Sequence, residues 1–255
     1  MLQVQQVEMR FGGVQALSGI SFDVPPGSIM AVIGPNGAGK TTLFNVISGL
    51  YRPTSGSVLW EGQDLTRVAP HRLAGLGVAR TFQNPQVFDG ATSLQTVQIG
   101  SHRFAHRGLL SALLRLPAYR REERALRERS LEWLDFVGLA DAADTPAAEQ
   151  SYGAIKRLDL ARAIAAEPRL LLMDEPAAGL NGAETEQLKH MIKAIAARGI
   201  TVVLVEHDMK LVMEISHSIV VLNLGQELAR GTPAEIRSNP AVLAAYLGAE
   251  SLEAA

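Results

Sequence analysis

The run Gly34-Pro35-Asn36-Gly37-Ala38-Gly39-Lys40-Thr41 constrains this chain more than any other stretch. It fits the pattern G-x-x-x-x-G-K-S/T at every place, and Thr42 follows. The apolar run Ile29 to Ile33 leads in, and a helix-compatible run from Thr41 to Gly49 leads out. A loop set between a buried strand and a helix turns its backbone N–H groups toward phosphate oxygens. The helix adds the positive end of its dipole. The side chain of Lys40 reaches the β- and γ-phosphates of a nucleotide, and the Thr41 hydroxyl is placed to ligate Mg²⁺. The bland alternative, a glycine-rich turn with a chance lysine, does not explain a full match in this setting.

The remainder of the chain supplies what such a loop needs. With 255 residues there is length for one large or two small domains. The chain is 47% apolar and 20% charged, with net charge −2, so no global basic excess points to nucleic acid. It has no cysteine, which excludes disulfides and thiolate metal sites. Residues 1–6 lack a basic segment followed by a long apolar one, so no secretory signal is expected. Apolar runs stop at five or six residues, far short of a membrane span.

Val4 to Phe11, Ile20 to Val24, Ile29 to Ile33, Gly56 to Trp60 and Val78 to Phe82 read as strands, with a turn at Pro25-Pro26-Gly27. From Asn84 to Gln150 the texture turns helical. Pro117 to Phe136 predicts a helix with Leu126, Leu131, Trp133 and Leu134 to bury, and Asp141 to Ala148 reads as a loop. Strands and helices alternate again after Gly153: a helix through Ala166, the strand Leu170 to Met173, a helix over Ala183 to Ala197, Thr201 to Val205, a helix over Met209 to Ile215, and Ile219 to Leu222. Two short helices are predicted over Thr232 to Leu247. The alternation implies a parallel sheet covered on both faces.

Other residues stand where chemistry is done in such sheets. The strand ending in Asp174-Glu175 presents acids at its carboxyl end. Asp174 suits Mg²⁺, directly or through water. Glu175 is placed to take a proton from attacking water. Gln83 follows an apolar run, where its amide can touch the metal or its water, although alone it reads equally as a surface residue. His207 follows a buried strand and can donate to a γ-phosphate; alone it reads as a cap or surface histidine. Ser151 and the backbone around Gly153 open a helix that can hold an anion, or that is simply N-capped. Arg115, Arg120, Arg121, Arg124, Arg127 and Arg129, interleaved with Glu122, Glu123 and Glu128, read as a solvated helix face or as a surface for lipid headgroups.

Taken in order, these motifs resemble the ATP-binding-cassette ATPases over nearly the whole chain. The resemblance implies an α/β P-loop NTPase core of the RecA-like kind, with an inserted α-helical subdomain and an N-terminal antiparallel β region. It divides the chain into 1–83, a first part of the core; 84–152, the helical subdomain; 153–231, the second part of the core; and 232–255, a helical tail. It implies that Gly34, Pro35, Asn36, Gly37, Ala38, Gly39, Lys40, Thr41 and Thr42 bind ATP. It makes Gln83 the Q-loop, Gln150 to Ala154 the signature, Asp174 the Walker B acid, Glu175 the catalytic base, Ala178 to Asn181 the D-loop and His207 the switch histidine. Phe11 stands where an aromatic stacks on adenine, or is a core residue.

The segments Ala79 to Pro85, Asp174 to Asn181, Val205 to Met209 and Ala245 to Gly248 are similar to the branched-chain amino-acid importer ATPases. Lipopolysaccharide-export and urea or amide systems share much of that texture. A soluble member acting on nucleic acid fits less well, because the charge is not basic. The resemblance further implies a head-to-tail pair with a second ATPase subunit, transmembrane permease partners docking on the helical subdomain and the region after Gln83, and a peripheral place on the cytoplasmic face of the inner membrane. The signature departs from the family's Leu-Ser-Gly-Gly-Gln. Gln150 replaces a packing leucine, and Ala154 replaces a Gln or Glu expected to reach across the dimer.

Overall fold

The computed structural model describes residues 1–85, 88, 90–101 and 117–253. Arg115 and part of the stretch after Gln83 lie outside them, as does the side chain of Arg120.

The five-residue runs IMAVI, LLLMD and TVVLV become β3 (Ile29–Ile33), β7 (Leu170–Asp174) and β8 (Thr201–Val205), and every residue in them is buried. Continuous apolar runs suit strands covered on both faces. With β6 (Val78–Arg80), β9 (Ser218–Asn223) and β10 (Gln226–Gly231) they form a sheet in the order β10-β9-β3-β8-β7-β6. All of its pairings are parallel except the edge pair β9–β10. Successive side chains face opposite ways, so the strands feed two cores. Met30, Val32, Leu172, Val203 and Val205 pack beneath α1 (Lys40–Ile47) and a second sheet. Ile29, Ala31, Ile33, Leu171, Met173, Val202 and Leu204 pack against α6 (Gly182–Ala197) and α7 (Met209–Ile215).

That second sheet is antiparallel, in the order β2-β1-β4-β5, from β1 (Leu2–Phe11), β2 (Val14–Val24), β4 (Ser55–Trp60) and β5 (Gln63–Asp64). Strand β2 begins at Val14 rather than at Ile20. Its polar start has no apolar alternation, yet it pairs with β1 through Phe11↔Val14 and Arg10↔Gln15. The short helix α2 (Pro70–Leu73) follows.

A third core is helical. It joins α3 (Ser93–Gly100), α4 (Pro117–Phe136) and α5 (Tyr152–Ile164) through Leu94, Val97, Leu134, Val137, Ala154 and Leu158. Leu134 is fully buried and Leu126, Leu131 and Trp133 half-buried. The α3 helix opens on a capping box between Thr92 and Gln95. It crosses α5 where Gly100 leaves no room for a side chain: a Cβ there lies 1.9 Å from the Arg162 carbonyl oxygen. α5 serves two cores at once, since Leu160, Ala163 and Ile164 on its other face pack on the sheet. The predicted loop from Asp141 to Ala148 contains two short 3₁₀ turns. The chain ends in α8 (Pro233–Arg237) and α9 (Pro240–Glu253). Among the described residues no helix is long and apolar enough to cross a membrane.

Candidate functional site

The loop after β3 is shaped by glycines that nothing else can replace. Gly34 has φ 150° and a Cβ there meets the Leu222 carbonyl oxygen at 2.1 Å; Gly39 has φ 98° and a Cβ meets the Ala16 carbonyl oxygen at 2.8 Å. Gly37 faces open space. No side chain caps α1, so its first N–H groups are left for a bound anion. A cavity of about 560 Å³ lies over the loop, lined by Asn36 to Thr42, Glu175, Val14 to Ala16 and the Leu224-Gly225 turn between β9 and β10. That turn is held down by Ser18 N–H to Gly225 C=O at 2.8 Å and Gly225 N–H to Ala38 C=O at 3.1 Å.

Lys40 is buried and donates to the carbonyls of Gly34 at 2.7 Å and Pro35 at 3.0 Å. Burial holds its pKa below the usual lysine value, with the Glu175 charge opposing. A cation in that condition gains when an anion joins it.

Asp174 ends β7. Its Oδ2 accepts from Arg80 Nη2 at 2.7 Å, and the same guanidinium donates to Asn45 Oδ1 at 2.9 Å and Ser48 Oγ at 2.5 Å. Burial raises the Asp174 pKa above the usual carboxylate value, and the Arg80 bond opposes it. Glu175, the next residue, has φ 45°, a left-handed conformation that costs a non-glycine residue about 1–3 kcal/mol. Three backbone bonds hold it there. Its N–H donates to Val205 C=O at 2.9 Å, and its C=O accepts from Ala178 N–H at 3.1 Å and from Lys156 Nζ at 3.0 Å. On its side chain, Oε2 accepts from Gln83 Nε2 at 2.5 Å, and Oε1 lies 3.9 Å from His207 Nδ1.

The structure therefore brings Gln83, Asp174, Glu175 and His207 to one edge of the phosphate loop. Of these four only Glu175 lines the loop's cavity; Gln83, Asp174 and His207 adjoin Glu175 without lining it, and Gly34, Pro35, Phe11, Ser151 and Gly153 do not line it either. Phe11 is 44% exposed and meets Tyr51 edge-on at 5.4 Å. Ser151 caps α5 by accepting the Ala154 N–H at 3.3 Å, and Gln150 Nε2 donates to Ser93 Oγ at 3.4 Å. Tyr152 packs on Gly179, where a Cβ comes within 2.7 Å of its ring, and Gly153 faces the Glu184 carboxylate. Ala154, expected to look outward, is 4% exposed and belongs to the helical core.

Sequence reading passed over Arg80, Lys156 and Glu206. Glu206 is buried, and its carboxylate accepts from the N–H groups of Ala177 at 2.7 Å, His207 at 2.9 Å and Asp208 at 3.2 Å. It ties the segment after Glu175 to the segment bearing His207. Its signal was its place directly after four apolar residues, Val202 to Val205, just as Asp174 follows Leu170 to Met173.

The profile of the ABC transporter family matches residues 17–178, and that of the branched-chain amino acid ATP-binding cassette transporter matches residues 226–251. The chain is 45% identical to the high-affinity branched-chain amino acid transport ATP-binding protein BraF of Pseudomonas aeruginosa, with 97% of each chain covered. It is 42% identical to the corresponding protein LivG of Escherichia coli K12, over 97% of this chain and 98% of that one. Among solved structures it superposes on the ADP conformation of an ATP-binding cassette of an ABC transporter with TM-score 0.84 and 32% identity, covering 97% and 98% of the two chains. A nucleotide-free cassette gives TM-score 0.82 at 30% identity, covering 96% of this chain and 98% of that one. Kinship of this extent, on a fold built around the same loop, makes the chain a member of the ABC transporter ATP-binding family.

Proposed function

We infer that this chain is the ATP-hydrolysing, energy-coupling subunit of an importer for branched-chain or related amino acids. The names of its relatives and the match over residues 226–251 support the substrate class. The observation that carries the chemistry is the Glu175 carboxylate, which lines the loop's cavity while held by Gln83 and flanked by His207.

In this reading the loop amides from Gly34 to Thr42 and the Lys40 ammonium hold the ATP phosphates. Lys40 turns from the Gly34 and Pro35 carbonyls to the phosphate oxygens. Glu175 orients water in line with the γ-phosphorus and takes its proton. The bond to the ADP oxygen breaks as the new P–O bond forms, leaving ADP and phosphate. His207 steadies Glu175 and donates to the γ-phosphate, and Gln83 senses it.

The donor set suits Mg²⁺, because Thr41 lines the cavity, Asp174 directly precedes the cavity-lining Glu175, and hard oxygen donors suit that ion. Thr41, Gln83 and Asp174 would hold it. Gln83 meets Glu175 through its amide nitrogen, which leaves its amide oxygen as the group it offers a metal. When bound, the ion neutralises charge on the β- and γ-phosphates.

Ser151 and Gly153, at the start of α5, would complete the site of a second ATPase subunit in a head-to-tail pair. Phe11 is the adenine platform of the same reading. Transmembrane permease subunits, met at the cytoplasmic face of the inner membrane, are the partners that opening and closing of the pair would move. We retain the division at residues 83, 152 and 231, with α5 as the joint between the second and third parts.

Glu175→Gln tests the reading. It is expected to keep ATP binding, to slow turnover by about a thousandfold and to accumulate closed dimers in size-exclusion chromatography with ATP. Near-wild-type hydrolysis would remove Glu175 as the base.

A further inference from the structure

The helix that begins with Ser151 and Gly153 also reaches into the catalytic strand ends. Lys156 and Asp159 stand one turn apart on the same face of α5 and are 8% and 5% exposed. Asp159 Oδ2 accepts the Phe82 N–H at 3.2 Å, and Lys156 Nζ donates to the Gln83 carbonyl at 2.8 Å. One turn of helix thus grips the backbone on both sides of the Phe82–Gln83 pair. The same ammonium donates to the Glu175 carbonyl at 3.0 Å. The Tyr152 ring, 5.7 Å from Nζ, covers the ammonium from the side of Gly179.

A lysine kept for packing alone lays its stem on apolar surface and sends its ammonium to water. This one turns inward, to carbonyls 73 and 19 residues away in sequence. Its burial is opposed by the charges of Glu206, Asp159, Glu175 and Asp174. One of its two acceptors belongs to Glu175, whose backbone is left-handed.

We propose that Lys156 is a positioning residue for hydrolysis, fixing the two backbone segments from which Gln83 and Glu175 meet. It touches neither nucleotide nor water. It sets the distance between the Gln83 amide and the Glu175 carboxylate, and it makes that distance answer to the placement of α5, the helix that carries the signature. A shift of the helical core on the sheet is therefore read directly at the carboxylate. This rests on Glu175 being the base.

Lys156→Met keeps the stem and removes the donors. In the full-length chain it is expected to lower kcat for ATP by about tenfold or more while KM stays within about twofold. Lys156→Arg restores donors and is expected to recover most of the rate. Wild-type kcat in Lys156→Met overturns the proposal, as does a rise in KM that accounts for the whole loss, or an arginine variant no better than the methionine one. If Lys156→Met does not fold, Lys156→Gln, whose shorter side chain ends in an uncharged amide, is held to the same criteria. Glu175→Gln is assayed alongside. Wild-type turnover there overturns the assignment of the base, whereas a slow Glu175→Gln beside a fully active Lys156→Met overturns the role of Lys156 alone.

Discussion

The phosphate loop and α5 each bury a lysine that donates to two main-chain carbonyls, and the two are set in different surroundings. Lys40 bonds to Gly34 and Pro35, its own near neighbours, in a loop shaped by glycines at a cavity wall. Lys156 bonds to Gln83 and Glu175, from segments that nothing local brings together. Burial lowers the pKa of both. Removing Lys40 leaves the rest of the chain's contacts in place, because its acceptors are part of a loop also held by Ala38 N–H to Pro35 C=O and Gly225 N–H to Ala38 C=O. Removing Lys156 takes one bond from the Gln83 carbonyl and one from the Glu175 carbonyl, which keeps only its bond from the Ala178 N–H at 3.1 Å. The same chemical group thus serves a ligand at one end of the site and the protein's own frame at the other.

The largest expected effect tests the ligand side. Lys40→Met is expected to weaken ATP binding, followed with a fluorescent nucleotide, by about a hundredfold or more, from two charge-assisted hydrogen bonds lost. Its unfolding midpoint is expected to stay at or above the wild-type value. A midpoint that falls as far as that of Lys156→Met would erase the distinction between the two lysines.

A smaller effect sharpens the frame side. Ala154 sits in the helical core at the start of α5. Ala154→Gln therefore forces a longer polar side chain against Leu158 and its neighbours, and it is expected to cost about 1–3 kcal/mol in denaturant unfolding. No gain in hydrolysis is expected, although the family's glutamine is restored. Faster turnover at unchanged stability would show that this first turn faces the ligand after all.

The smallest effect concerns pH. Burial raises the Asp159 pKa above the usual carboxylate value, and Arg162 opposes it. Between the ordinary value and the raised one, the folded chain keeps a proton that the unfolded chain has shed. The stability this contributes is complete below the ordinary value and is lost as pH rises through the raised one. Asp159→Asn lacks that loss. The difference in stability between wild type and Asp159→Asn is expected to drift in the variant's favour as pH climbs through this window. Parallel urea titrations with no drift would mean that Asp159 is as well served folded as unfolded.

Much of the frame was legible because it is written locally. β3, β8, α4 and α7 occupy the spans their apolar runs, caps and prolines mark. The phosphate loop and the Asp174-Glu175 pair are contiguous motifs, readable without a fold. β10 was not legible. QELARG carries no apolar alternation, and it is an edge strand because the Leu224-Gly225 turn folds it back beside β9. Arg80 and Lys156 were not legible either, and Glu206 only through its place after an apolar strand. Each is an ordinary charged residue in sequence and gains its meaning from partners that only the folded sheet supplies.

The strand that carries the phosphate loop, β3, has no partner among its sequence neighbours. Its only ladders run to β8 and β9, so Ile29 lies beside Val202 and Met30 beside Ser218. On a ribosome, the loop must wait until β8 and β9, far downstream of it, have emerged before its strand can be seated. Nucleotide cannot assist the early steps of folding. The nascent chain meanwhile carries an unpaired, wholly apolar strand, the kind of segment for which a cell keeps chaperones.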